Sequence, residues 1–225
     1  MKRIFDQEKM ASLIREHGIQ ELFSFDITPH LHLLSFEAGE YICRQDVPLD
    51  YLYFITGGRS KVYVSLSNGK SLLLCFYEGL KILGDAELLS GAPASTNVQV
   101  IEATYGLGIP FEKVGSLLLK DNRFLQFACS ALGDKLIRLS QNSSINLLYP
   151  LENRLASYIL AVSGGTLVFR ENLTEIAELL GTSYRHLLRT LQSLVNSGAI
   201  KKEGLSYRIE NMTILKKLAS DVYMN

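Results

Sequence analysis

Asn172-Leu-Thr-Glu-Ile-Ala-Glu-Leu-Leu-Gly-Thr-Ser-Tyr-Arg-His-Leu-Leu-Arg-Thr-Leu-Gln-Ser-Leu-Val-Asn-Ser-Gly198 is the stretch on which the reading of this chain turns. Apolar residues recur at helical spacing on both sides of Gly181, which predicts helices over 173–180 and 184–197. Asn172 is placed to cap the first, with Glu175 at the third helical position reaching back. Ile176, Ala177, Leu179 and Leu180 give that helix an apolar face, and Ala177 is small where a second helix must cross closely. Gly181 supplies the left-handed residue of a tight turn, and Thr182 and Ser183 offer the next cap. In the second helix Leu187, Leu188, Leu191, Leu194 and Val195 are expected in the core. Tyr184, Arg185, His186, Arg189 and Gln192 take the opposite face.

A helix, a glycine turn and a second helix with a basic, hydrogen-bonding outer face match a DNA-binding helix-turn-helix. Between residues 182 and 202 the charged residues are Arg185, Arg189, Lys201 and Lys202, with no acid among them. The whole chain is neutral, with 23 Lys and Arg against 23 Asp and Glu, which excludes a uniformly basic nucleic-acid binder. From Pro150 onward nine basic residues meet seven acidic ones, so the positive charge is local, as a DNA-facing surface requires. Ile200–Ile209 alternates around Glu203-Gly204 and reads as a β-hairpin, a wing beside the two helices.

Outward from there, Pro150 opens a helix over Leu151–Val162, since proline suits a first helical turn, and Gly164-Gly165 ends it. Thr166–Phe169 is a short β-like run. Residues 121–146 contain no proline, and Leu125, Leu132 and Leu139 recur every seven residues with Leu136 near the intervening position. A repeat of 3.5 residues is the seam of a helix pair, which makes this a candidate dimerisation helix; an ordinary core helix shares the pattern. Residues 30–109 have another texture, with short Val-, Ile-, Leu-, Tyr- and Phe-rich runs cut by glycines. Tyr51–Ile55, Lys61–Leu66 and Ser71–Tyr77 read as strands. Asn68-Gly69 reads as a two-residue hairpin turn with positive φ at both positions. Evenly spaced short strands suggest an antiparallel barrel or jelly roll, with one short helix over 85–90, a helix over 7–25 before it and a return to helix at Pro110. The expected class is α+β: a jelly-roll-like antiparallel β-roll over 1–120, a long dimerisation helix over 121–146 and a winged helix-turn-helix over 147–225.

Leu173–Arg189, with Leu191–Ile200 ending in Ser-Gly-Ala-Ile, is similar to the recognition segment of the Crp/Fnr family of bacterial transcription regulators. The resemblance runs from about residue 20 to about residue 220. It implies a cyclic-nucleotide-binding-type β-roll, a homodimer on a palindromic operator, RNA polymerase as a further partner, and switching about a hinge between Ser140 and Pro150. It assigns DNA reading to Ser183, Tyr184, Arg185, His186 and Arg189, with Ser183 and His186 on phosphates. The family usually has an arginine or similar polar residue and then a glutamate after the cap serine; here Tyr184 and Arg185 stand there. Glutamate accepts from the cytosine amino group, whereas arginine donates to guanine O6 and N7, so the half-site should differ from the family's common ones.

Leu83-Gly84-Asp85-Ala86-Glu87-Leu88-Leu89 is similar to the family's phosphate cassette, and the resemblance makes Gly84, Asp85, Ser95 and Thr96 the effector-facing residues. That cassette has glutamate where Asp85 stands and an arginine at or near the place of Ala94, and Glu87–Gln99 contains no basic residue. A buried phosphate without a counter-charge loses a charge-assisted pair and is costly to desolvate, so cyclic AMP should bind weakly or not at all. No cofactor is expected, and the effector stays open.

Other chemistries find less support. His30-x-His32 with Glu37 resembles half of a cupin metal motif, but the next histidine is His186, so no metal site is expected. Cys43, Cys75 and Cys129 are widely spaced and read as reduced core thiols. No catalytic constellation emerges, and a non-enzyme is expected. No apolar run approaches the roughly 18–20 residues that span a membrane, and Met1–Met10 is too polar for a signal peptide, so the expected location is the cytoplasm. The competing class is a sensor or scaffold whose winged helix binds protein.

Overall fold

The computed structural model describes residues 1–219 and 222–223. Its packing divides the chain into two compact units. One comprises Met1–Val62 and Tyr77–Arg138, the other Tyr63–Phe76 and the chain from Leu139 onward.

The first unit opens with β1 (Lys2–Ile4) and α1 (Gln7–Glu16). Asp6 caps α1 by accepting from the Lys9 N–H at 2.9 Å. The helix expected over 7–25 stops at Glu16 because the chain turns at Gly18, where the Ile19 N–H reaches back to the Ile14 carbonyl at 3.0 Å. Ile19 and Phe23, beyond that turn, enter the core. The strands are β2 (His32–Phe36), β3 (Tyr41–Cys43), β4 (Tyr51–Ile55), β5 (Arg59–Ser65), β6 (Ser71–Glu78), β7 (Lys81–Leu83), β8 (Asn97–Glu102) and β9 (Thr104–Pro110). They make a five-stranded sheet in the order β1-β2-β9-β4-β7 and a four-stranded sheet in the order β3-β8-β5-β6. β4 pairs antiparallel with β7 and β9, and β3 with β8. The helices are α2 (Asp85–Ser90), α3 (Phe111–Leu118) and α4 (Asn122–Leu148).

Strand alternation sets the core. Leu52 and Phe54 of β4 point to the helices and join Phe23, Leu118 and Phe124 in one buried cluster. Phe23 stacks on Phe124 with centroids 5.6 Å apart. Tyr53 points to the other face, where its ring meets Phe36 at 6.1 Å and burial raises its phenol. Phe124 and Ala128 bury the inner face of α4.

The β5–β6 turn differs from the sequence expectation. Gly69 has φ +79, but Asn68 does not share a positive φ. The Gly69 N–H bonds to the Leu66 carbonyl at 2.9 Å and the Leu66 N–H to the Lys70 carbonyl at 2.7 Å, the pattern of a three-residue loop closed by a left-handed glycine.

In the second unit α4 continues to Leu148, so the backbone leaves the helix only at Tyr149 and Pro150. Then come α5 (Leu151–Ser163), a 3-10 turn (Gly164–Thr166), β10 (Val168–Phe169), α6 (Leu173–Leu179), α7 (Tyr184–Asn196), β11 (Ile200–Glu203), β12 (Ser206–Ile209) and α8 (Met212–Ala219). Half of the run expected as β over Thr166–Phe169 is therefore turn, with Leu167 at φ +57, and its last two residues pair with β12. They make the wing a three-stranded sheet in the order β10-β12-β11. The tip of the β5–β6 hairpin belongs to this unit. The Asn146 Nδ2 donates to the Leu73 carbonyl at 3.1 Å, and the Phe76 ring meets Tyr158 at 5.7 Å and Tyr223 at 6.5 Å. Among the described residues no helix is long and apolar enough to cross a membrane.

Candidate nucleic-acid interface

The α6–turn–α7 geometry starts from local capping. Asn172 accepts from the Thr174 N–H at 3.0 Å, and its amide donates to the Glu175 carboxylate at 2.9 Å. Glu175 thus meets the capping side chain rather than its backbone. Ile176, Ala177, Leu179 and Leu180 are buried, as their spacing requires. Gly181 has φ +62, which a side chain would strain, and the Thr182 N–H returns to the Ala177 carbonyl at 2.8 Å. Arg154 of α5 donates to the Leu180 carbonyl at 2.8 Å, so an otherwise open helix end is satisfied from the packed side.

Ser183 caps α7, accepting from the His186 N–H at 3.2 Å. Leu187, Leu191 and Leu194 are fully buried. Thr190 joins them, its hydroxyl satisfied by the His186 carbonyl at 3.0 Å. Ser183, Tyr184, Arg185, His186, Arg189 and Gln192 are exposed. Arg185 and Arg189 make no ion pair among the described residues. The His186 ring lies 3.2 Å from the Thr182 hydroxyl, which orients it beside the cap. Lys201 and Lys202 are exposed on β11 of the wing. Arg208 on β12 is instead occupied by Glu203 at 2.9 Å, a pairing that lowers the carboxyl and raises the guanidinium.

Leu188 departs from the sequence expectation. It is 38% exposed, between Tyr184 and Gln192 on the outward face. Leu187, Thr190, Leu191 and Leu194 fill the buried face of α7, and Leu188, one step of about 100° beyond Leu187, falls outside it. The signal was present as a leucine four residues from Tyr184 and from Gln192.

Of the residues expected to face an effector, Gly84 has φ +91, and a Cβ there would lie 2.6 Å from the Tyr51 carbonyl, so packing alone requires glycine. Asp85 is fully buried, and its Oδ1 accepts from the Lys135 ammonium of α4 at 2.5 Å. Its Oδ2 has no hydrogen-bond partner among the described residues. Ala94 is buried, Ser95 exposed and Thr96 half-buried, and Ser95 and Thr96 directly precede β8. On α4, Leu125 and Leu132 are half-buried, with Leu125 packed on the core cluster, whereas Leu136 and Leu139 are 69% and 46% exposed.

Not all cysteines are core thiols: Cys43 and Cys75 are buried, but Cys129 is exposed on α4. Burial, then the nearby Glu87, pushes the Cys43 thiol up to about 12. His32 contacts the Tyr51 hydroxyl at 3.3 Å, and burial lowers its pKa. Among the described residues no cluster of His, Cys, Asp or Glu could hold a metal ion.

Residues 33–121 match the cyclic nucleotide-binding domain family, and residues 153–218 match the Crp-like helix-turn-helix domain. The chain is 34% identical over 211 residues to the regulatory protein YeiL of Escherichia coli O157:H7, covering 92% of this chain and 94% of YeiL. It is 22% identical to a CRP-like cAMP-activated global transcriptional regulator of Mycobacterium tuberculosis, over 90% of this chain and 94% of that one. A Crp/Fnr-family regulator structure from Eubacterium rectale superposes with a TM-score of 0.74 at 16% identity, covering 86% of this chain and 91% of that chain. The capped helix pair, the three-stranded wing and the N-terminal antiparallel sheets are thus those of a Crp/Fnr family transcription regulator, to which this chain belongs.

Proposed function

We propose that the protein is a homodimer that reads a palindromic DNA site through Ser183, Tyr184, Arg185, His186 and Arg189, and that cyclic AMP is not its effector. The observation that carries the DNA reading is the pair Arg185 and Arg189, exposed on α7 and making no ion pair among the described residues. A helix of 13 residues is about 20 Å long, and such a helix enters a major groove about 12 Å wide. Arginine at position 185 favours guanine where a glutamate would favour cytosine. Lys201 and Lys202 on the wing supply charge for phosphates. The apolar exposure of Leu136, Ile137 and Leu139 on α4 supports pairing of two such helices. Two recognition helices would then enter successive grooves roughly 34 Å apart. RNA polymerase is a further partner in this reading, and the cytoplasm its location.

The effector part rests on Asp85. Its seat is taken by Lys135 of the same chain, and Glu87–Gln99 holds no basic residue for a cyclic phosphate. Selection of bound duplexes from a random pool, followed by mobility shifts, tests the DNA reading. A palindrome with guanine in each half-site is expected, with binding that falls steeply with salt and weakens about 10- to 100-fold in Arg189→Ala. Salt-insensitive binding indifferent to Arg189→Ala would sink it. Calorimetry tests the effector reading, and micromolar affinity for cyclic AMP would overturn it.

A further inference from the structure

The first unit contains a cavity of about 190 Å³ between β4, β7 and α4. Phe54, Ile82 and Phe127 form its apolar floor, and the Phe54 and Phe127 rings stack at 6.1 Å. Phe54 and Ile82 belong to the core cluster shared with the helices, whereas Tyr53, the strand neighbour of Phe54, takes the opposite face and packs on Phe36. The cavity therefore lies on the helix side of the five-stranded sheet, away from the face that carries Tyr53. Its rim is basic, with Lys81, Lys135 and Arg138 against the single acid Asp134. Lys135 is committed to Asp85. Arg138 lies over the Tyr77 ring at 6.0 Å and makes no ion pair among the described residues.

We propose that this cavity binds a small organic anion, with an apolar or aromatic body on Phe54 and Phe127 and a carboxylate or phosphate held at the rim by Arg138 and Lys81. A guanidinium holds such a headgroup through two parallel hydrogen bonds, and an aromatic floor with a few convergent polar groups is what a small-molecule site needs. The volume is below the roughly 300–1,000 Å³ of drug-sized sites, so the occupant is monocyclic or smaller. Occupancy would join the β6–β7 turn to α4.

The full chain is titrated with benzoate, phenyl phosphate, benzamide and inorganic phosphate, followed by saturation-transfer NMR, with no DNA present. At least one of benzoate and phenyl phosphate is expected to bind saturably, and which one does distinguishes the two headgroups. Benzamide, which keeps the shape without the charge, and inorganic phosphate, which lacks the body, should each bind at least 10-fold more weakly. Arg138→Gln should weaken binding at least 10-fold and Arg138→Lys less, both with unchanged thermal unfolding. The proposal is overturned if neither organic anion binds, if benzamide binds as well as benzoate, or if Arg138→Gln has no effect. Because DNA is absent, that failure leaves the DNA reading untouched, and failure of the DNA reading leaves this one standing.

Discussion

The Lys135 ammonium of α4 donates to the buried Asp85 carboxylate at 2.5 Å across 50 residues of sequence. Removing one partner of a buried pair strands the other charge, which typically costs about 3–5 kcal/mol. Lys135→Met should lower urea stability by that order, and the double variant Asp85→Leu, Lys135→Met should recover most of the loss. A double variant no more stable than Lys135→Met would show that the pair is not what holds this corner.

Leu188 should read thymine. Its exposed side chain between Tyr184 and Gln192 gives α7 an apolar contact point, and the thymine methyl is the apolar group of the major groove. Burying one methyl contributes about 0.8 kcal/mol, so replacing thymine by uracil at the contacted position should weaken wild-type binding about 3- to 4-fold. Leu188→Ala should lose that sensitivity. Fluorescence anisotropy on the selected operator checks it; equal sensitivity in both proteins would remove Leu188 from the contact.

Cys129 and Cys43 should separate cleanly in labelling. Cys129 is exposed, whereas Cys43 is buried with its ionisation pushed to about 12. Thiolate is the reactive species, so Cys129 of an unpaired chain should react with Ellman's reagent without denaturation and Cys43 only after it. If two α4 helices pair along the face carrying Leu136, mild oxidation should join two chains through Cys129, and Cys129→Ser should abolish the link. Mass spectrometry of tryptic peptides identifies the labelled and linked residues.

Asp121 makes the start of α4 pH-dependent. Burial raises its carboxyl, but hydrogen bonds donated by the Ser24 backbone at 2.9 Å and the Arg123 backbone at 3.1 Å outweigh that, and the net direction is down. A carboxylate lowered on folding contributes stability that is full above its unfolded value near 3.9 and disappears as pH falls through the folded value. Asp121→Ala should cost about 0.5–2 kcal/mol at pH 7, as loss of a helix cap does. The gap between the two proteins should hold to about pH 5 and close below about pH 4. A gap that stays constant down to pH 2 would assign it to packing.

The elements around Gly181 were legible because every local signal agrees: Asn172 and Ser183 cap, Gly181 turns, and the leucines repeat at helical spacing. Leu188 was not, because two adjacent leucines both satisfy an apolar pattern and only packing chooses between them. The β5–β6 hairpin was legible from Asn68-Gly69, but its turn type was not, because asparagine accepts either sign of φ. The Asp85–Lys135 pair joins residues 50 apart, and no periodicity connects them. Cys129 lies on a helix whose two faces are both partly apolar, so the exposed one was not marked.

The hairpin tip, Tyr63–Phe76, has a bearing on how independent the DNA-binding half can be. A fragment begun at Leu139 keeps every helix and strand of the winged domain. It nevertheless deprives Asn146 of the Leu73 carbonyl and leaves the Tyr158 and Tyr223 rings without Phe76. Such a fragment presents raw aromatic surface to water and should be sticky in isolation. By the same token, grafting this winged domain onto another sensor by a simple fusion at α4 transplants an incomplete fold. Its compact unit is discontinuous in sequence, so a graft has to carry the hairpin along.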